Sequence, residues 1–360
     1  PFYYYERTGR IQGGAATPVV SIDIGGGTTD VVIFQNRRPQ YLTSFEFAAN
    51  AIFGDAYGRR LGENHGLVRK YLPQYQQLLR ENRLEELNQI VEFIIGTNKS
   101  DDINSFLFSI ERHPKVQNRD LFSYNGKLSK DTDFKIVFLY FYTAIVYHIA
   151  ELMKHKGVAF PTEFIFSGNG SRILNIITPA IELLGNLSKK IFERVYGENY
   201  PYNELRITIE REIPKEVTCK GGLMVENNQH NVNLEEIKTV FTCLNGVERI
   251  SYRDLNQERK DEIISYVGRF NEFFLNLAQD FNFRNNFNVS PRSMNVFRDH
   301  INESIPDNLA RGLEYSMQVN GLNDNDEISE TLFFFPLTGS ISNFLQKLSA
   351  LNNQAENQKK

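Results

Sequence analysis

The chain reads as an α/β protein with a helical stretch between its strands and a mostly helical C-terminal region. Three observations lead there. The apolar runs Val19–Ile24 and Val31–Phe34 have strand length and flank the glycines Gly25, Gly26 and Gly27. A second short apolar run, Glu163–Ser167, opens into Gly168-Asn169-Gly170. Between these two segments, apolar residues recur at helical spacing, as in Leu67, Tyr71, Tyr75 and Leu78, and again in Leu84, Leu87, Ile90, Val91 and Ile94.

The elements follow in order. Pro1–Pro18, with its turn glycines Gly9, Gly13 and Gly14, reads as a lead-in. Ser21–Phe34 reads as strand, glycine turn, strand; Asn36–Pro39 turns into a third strand, Gln40–Phe47. Ala48–Leu61 has the character of a helix entry, and Glu63–Lys130 is polar and helical. Asp133 is placed to cap a long helix, Phe134–Lys154. After Pro161 comes the strand Glu163–Ser167, with a helix starting near Ser171; Leu205–Glu210 alternates like a strand, and Pro214 suits the first turn of a helix over Lys215–Val225. From Glu226 the chain changes character, and 226–351 reads as an accessory region.

That accessory region holds strand-like runs at Thr239–Leu244 and Arg249–Tyr252 and a helix at Gln257–Phe281. An Asn/Phe-rich loop, Asn282–Ser293, then precedes a helix over Ser293–Gln318 and an acidic turn, Asn323–Asp326. The apolar run Leu332–Leu337 reads as a core strand rather than an exposed docking strand. Asn352–Lys360 is polar enough to read as a disordered tail.

Composition narrows the function. The 360 residues are 41% hydrophobic and 23% charged, ordinary for a globular protein, and the length predicts two domains. A net charge of −4 argues against a general nucleic-acid or anionic-membrane binder. Cys219 and Cys243 form no CxxC pair and read as buried free thiols of a reducing compartment. The chain starts at Pro1 without a signal peptide, and Ile136–Ile149 is too short to span a bilayer, so a soluble cytoplasmic protein, or a piece of one, is expected. His148, Glu151 and His155 share a helix face, which reads as an ordinary partly buried face rather than a metal site. Arg59, Arg60, Arg69 and Lys70 read as a solvated helix face rather than phosphate contacts.

The chemistry concentrates in two glycine turns. Glycine lets a ligand approach the main chain, and successive N–H groups in such a turn form an anion-binding nest. Asp23 stands at the mouth of the first turn, where magnesium or its bound waters require a hard oxygen, and Thr28 adds a hydroxyl. In the second turn, Gly168 and Gly170 allow close approach, the helix start offers N–H groups, and Arg172 carries a planar guanidinium suited to stacking on an aromatic base. A third segment, Lys215–Met224, carries Gly221-Gly222, for which close helix packing is a sufficient explanation.

In this order the three segments resemble the second phosphate motif, the adenosine motif and the second connecting motif of the actin-like ATPase superfamily. The string DIGGGTTD is most similar to the FtsA, MreB and DnaK-type branches, and less so to sugar kinases. The resemblance covers Val19–Val225 and implies a ribonuclease H-like fold binding ATP and Mg2+, with about 63–130 as a helical peripheral subdomain that closes over the base. It implies that Asp23 holds magnesium through water and that Gly25, Gly26 and Gly27 wrap the β- and γ-phosphates with Thr28 donating to them. It also implies that Gly168 and Gly170 approach the nucleotide and that Arg172 stacks on adenine. Two departures stand out: Ala48-Ala49-Asn50 where relatives carry a Gly-Gly pair, and Asn169 where many carry glycine. No second acidic glycine turn is found between the first motif and Gly168, so the chain resembles the second half of such an ATPase. The missing first half is then an expected partner, as is a protein target or self-assembly, and hydrolysis by this chain alone is not expected. The leading expectation is a nucleotide-driven switch; the alternative is a scaffold or filament subunit that uses nucleotide only structurally.

Overall fold

The computed structural model describes residues 2–11, 16–53, 67–97, 100–210, 216–224 and 234–357. They divide into two compact units. The first takes in residues 1–48, 141–254 and 327–332, the second residues 49–140, 255–326 and 333–360. These units cut across the linear division into core and accessory region, because most of the chain after Leu255 groups with 49–140.

The first unit is built on a five-stranded mixed sheet in the order β3-β2-β1-β4-β5. Its strands are β1 (Val19–Ile24), β2 (Thr29–Gln35), β3 (Arg38–Phe45), β4 (Glu163–Ser167) and β5 (Arg206–Ile209). The expected strands in 19–47, 163–167 and 205–210 are all present. β1 to β3 form an antiparallel meander, while β4 and β5 run parallel to β1. The β2–β3 turn puts Asn36 and Arg37 at φ of 53° and 60°, the paired left-handed geometry whose twist suits a two-residue hairpin. β1 and β4 are buried nearly throughout, because helices cover both sheet faces. On one face Val19, Phe34 and Ile165 pack with Phe2, Tyr5 and Val217. The helix Phe2–Arg7 is therefore part of this core rather than a lead-in, with Phe2 stacked on Phe34 at 4.0 Å. On the other face Tyr142 lies near Phe166, and Phe192 near Phe164.

Several expectations are corrected. Thr239–Leu244 and Arg249–Tyr252 are not strands; among the described residues the chain there makes only the isolated bridges Leu42↔Lys238, just before the first run, and Ser251↔Glu327, and Cys243 at φ 67° interrupts any extended run. Cys243 is buried, but Cys219 is exposed. Gly222 has open space where a Cβ would stand, so close packing does not explain that glycine. Pro214 and Lys215 lie outside the described residues; the helix they were expected to open is Val217–Leu223.

The second unit is helical, as the 63–130 pattern predicts, with helices at Leu67–Glu81, Glu85–Gly96, Ser100–Ser109 and Tyr124–Lys130. Arg59 and Arg60 lie outside the described residues. The long helix is Thr132–His155, of which 132–140 belong to this unit and 141–155 to the first, and its cap is Asp131, not Asp133: the Asp131 carboxylate accepts the N–H groups of Asp133 at 2.9 Å and Phe134 at 3.3 Å. This helix is longer than its most apolar stretch and is, by length and composition, able to cross a membrane; nearly all of that stretch is buried inside the protein. Gln257–Asp280 is helical as expected. The helix expected over Ser293–Gln318 is broken into Pro291–His300 and Ile305–Asn320, with Ser304 left-handed at φ 61° and Pro306 in the second first turn. Leu332–Leu337 is buried as expected but does not form a strand. Pro336 instead sits in the first turn of the helix Phe334–Asn357, which also replaces the disordered tail up to Asn357.

Lys70 keeps partial solvent contact, as expected, but is also paired with two carboxylates of this unit. Its ammonium lies 2.7 Å from Asp131 and 3.0 Å from Asp133, and Ser293 donates to Asp133 at 2.8 Å. Burial pulls the Lys70 pKa down, but the two carboxylates outweigh it and the net shift is upward. Lys70→Met leaves both carboxylates without their cation, and we expect it to cost about 2–3 kcal/mol, reduced from a fully buried pair because the lysine keeps some solvent contact. A shift in the urea midpoint checks this; an unchanged midpoint refutes it.

Candidate functional site at the carboxyl edge of the sheet

The predicted site residues converge within the first unit. β1, β4 and β5 are parallel, so their carboxyl ends share one edge, the place where open α/β sheets bind ligands. The β1–β2 turn and the residues after β4 both lie there.

The first turn is closed by the Gly25 N–H donating to the Thr28 carbonyl at 2.9 Å. Gly26 and Thr28 are exposed, and Gly25 and Gly27 are half-buried. Among the described residues, no backbone carbonyl accepts from the N–H groups of Gly26, Gly27 or Thr28, so these successive donors remain open, as an anion nest requires. Thr29, the next residue, is buried and donates to the Phe47 carbonyl at 2.7 Å, tying the turn to the segment after β3.

The second turn presses against the first. Gly168 has φ +81°, and a Cβ there would lie 2.3 Å from the Ile24 carbonyl oxygen and 2.4 Å from Asp23 Oδ1. A Cβ on Gly170 would lie 2.6 Å from the Gly25 carbonyl oxygen. Both glycines are therefore required by close approach, and the backbone of one motif abuts the backbone of the other. The structure thus brings together Asp23, Gly25, Gly168 and Gly170. Arg172 is exposed on the same turn, free of burial that would prevent stacking.

One expectation fails here. The segment after Gly168 is a single 3-10 turn, Gly170–Ile173, followed by the short helix Leu174–Ile177. Two of its N–H groups are committed: Ser171 N–H points at the Gly168 carbonyl and Arg172 N–H at that of Asn169, both at 3.3 Å. The turn supplies close approach, not an anion-binding helix start. At the first departure noted above, Ala48 is buried, its methyl group committed to packing.

Other site residues were not legible beforehand. Ser167 is fully buried, is the register partner of Asp23 across β1–β4, and donates to Asp23 Oδ2 at 2.9 Å. Ser171, also fully buried, donates to the Gly168 carbonyl at 2.7 Å and holds that turn. Further along the same edge, Phe45 ends β3 opposite Thr29. The next N–H, of Glu46, donates to Glu330 Oε2 at 2.8 Å. Burial and, to a lesser degree, the Glu46 carboxylate raise the Glu330 pKa to about 7, against the lowering by that hydrogen bond. Glu330 comes from a distant part of the chain, and nothing in its local sequence marks it.

His148 is fully buried between the rings of Phe45, at 5.5 Å, and Phe241, at 5.9 Å, and burial pushes its pKa down to about 3. It is a neutral core residue. Among the described residues no three His, Cys, Asp or Glu side chains converge. A magnesium ion near Asp23, whose direct register partner across β1–β2 is Asp30, would therefore have at most two protein carboxylates and would complete its shell with water and ligand oxygens, which is the usual manner of this ion.

The half-exposed Asp23 carboxylate, the open N–H groups of the first turn and the glycine cradle of the second fit a magnesium–polyphosphate ligand. No protein-family model matches this chain, and no curated protein matches it.

Proposed function

We propose that the first unit is a ribonuclease H-like domain that binds Mg-ATP, and that the protein is the second half of an actin-like ATPase working as a nucleotide-driven conformational switch. The observation that carries this reading is the abutment of the two glycine turns beside Asp23 at the carboxyl edge of the sheet. Gly25, Gly26, Gly27 and Thr28 would wrap the phosphates, Asp23 would hold magnesium through water, and Gly168 and Gly170 would admit the nucleotide with Arg172 against the base. Bound magnesium would neutralise phosphate charge, and the chain's own residues position the ligand. A first half of the fold would supply the opposite wall, so the isolated chain binds weakly and does not turn over ATP. A cytoplasmic location and a protein partner belong to the same reading.

Titration of the 360-residue chain with ATP, with and without Mg2+, tests it. We expect binding in the micromolar to millimolar range that strengthens with Mg2+, and Asp23→Asn to remove that strengthening, by about tenfold or more. Absence of Mg-dependent binding in the unmodified chain would overturn the proposal.

A further inference from the structure

We propose that Ser167 is a positioning residue that fixes the Asp23 carboxylate in the orientation needed to hold hydrated magnesium; this rests on the Mg-ATP reading above. The Asp23 side chain is gripped by two consecutive residues of the neighbouring strand end. Ser167 Oγ donates to Oδ2 at 2.9 Å, and the Cα of Gly168 stands against Oδ1, where even one added carbon would come within 2.4 Å. Parallel pairing makes this arrangement automatic, because Asp23 and Ser167 are direct register partners in β1 and β4. The grip is itself supported: Ser171 Oγ holds the Gly168 carbonyl at 2.7 Å, and both serines are fully buried.

The physical consequence follows from what each atom can do. An ionised carboxylate only accepts hydrogen bonds. With one oxygen receiving the serine hydroxyl and the other held against glycine, rotation of the carboxylate is restricted, and the residue keeps partial exposure to solvent. Magnesium demands near-ideal octahedral geometry and keeps most of its waters, so a freely rotating carboxylate would bind those waters less well. Partners that orient a metal-holding group commonly account for 10- to 100-fold in metal affinity.

The test compares ATP affinity in Mg2+ with ATP affinity in EDTA. In Ser167→Ala we expect the Mg2+-dependent gain to shrink about tenfold or more, and Ser167→Thr, which keeps the hydroxyl, to recover most of it. In an Asp23→Asn background, adding Ser167→Ala should change the gain no further. A thermal melt of each variant reports folding separately. A full Mg2+-dependent gain in folded Ser167→Ala would overturn the role of Ser167 while leaving the Mg-ATP reading intact. No Mg2+-dependent gain in the unmodified chain would overturn both.

Discussion

Gly168→Ala should abolish nucleotide binding and destabilise the first unit by about 2–4 kcal/mol, the range for a strained backbone combined with a forced core shift. Two costs combine. Gly168 sits at φ +81°, where an L side chain is strained. Its new methyl group would also lie 2.3 Å from the Ile24 carbonyl and 2.4 Å from Asp23 Oδ1, and the first of these is backbone at the end of a buried strand. Relief requires β1 and β4 to part at the edge where Asp23 and Ser167 pair. Gly157→Ala separates the two costs. Gly157 has φ +66° with nothing within 4 Å of the added carbon, so it carries the conformational penalty alone, about 1 kcal/mol. Urea melts and Mg-ATP titrations of both variants check this. Equal losses in the two would show that contact at Asp23 contributes nothing.

The second large effect is a pair of opposed pH dependences in the same unit. Burial lowers the His148 pKa from 6.5 to about 3, so between those values the unfolded chain takes up a proton that the folded chain refuses. Stability from this group therefore rises with pH up to about 6.5 and is lost on acidification. Glu330 has the opposite sign. Burial first, and the Glu46 carboxylate second, raise its pKa from 4.5 to about 7, so in that window the folded chain keeps a proton the unfolded chain releases. Stability from it falls as pH rises from 4.5 to 7. Each slope is about 1 kcal/mol per pH unit at its steepest, and they oppose each other between pH 4.5 and 6.5. The urea midpoint of the unmodified chain should consequently vary little from these two groups in that window. His148→Phe should expose the Glu330 slope, with stability falling as pH rises. Glu330→Gln, which still accepts the Glu46 N–H, should expose the His148 slope, with stability rising. Parallel profiles for all three proteins would show that neither group carries the shift.

The legible part of this protein is local. Strand β4 and the β1–β2 hairpin follow from short apolar runs bounded by glycine, and the helix Gln257–Asp280 from its apolar spacing. The expected strand at Leu332–Leu337 failed on the same local terms. Its apolar run is buried as predicted, but Pro336 belongs to a helical first turn, a signal the run itself outweighed. The strands expected at 239–244 and 249–252 failed differently. They have extended composition, but the only bridges there among the described residues are single ones, at Lys238 just before the first run and at Ser251 within the second, and a strand exists only where a neighbour completes its ladder.

The site divides along the same line. Asp23, Gly25 to Thr28, Gly168, Gly170 and Arg172 are candidates that residue type, order and the resemblance single out, since glycine before a hydroxyl and after a buried strand announces a turn that can admit a ligand. That Ser167 holds Asp23 depends on the β1–β4 register, which sets residues far apart in the chain side by side. Glu330 reaches Glu46 only because the segment 327–332 belongs to the first unit while the residues on both sides of it belong to the second. Backbone conformation and burial tendency are properties of a few neighbouring residues and can be read in sequence. Carboxylate orientation and a raised pKa are set by which distant atoms pack alongside, and for Asp23 and Glu330 only the tertiary structure decided them.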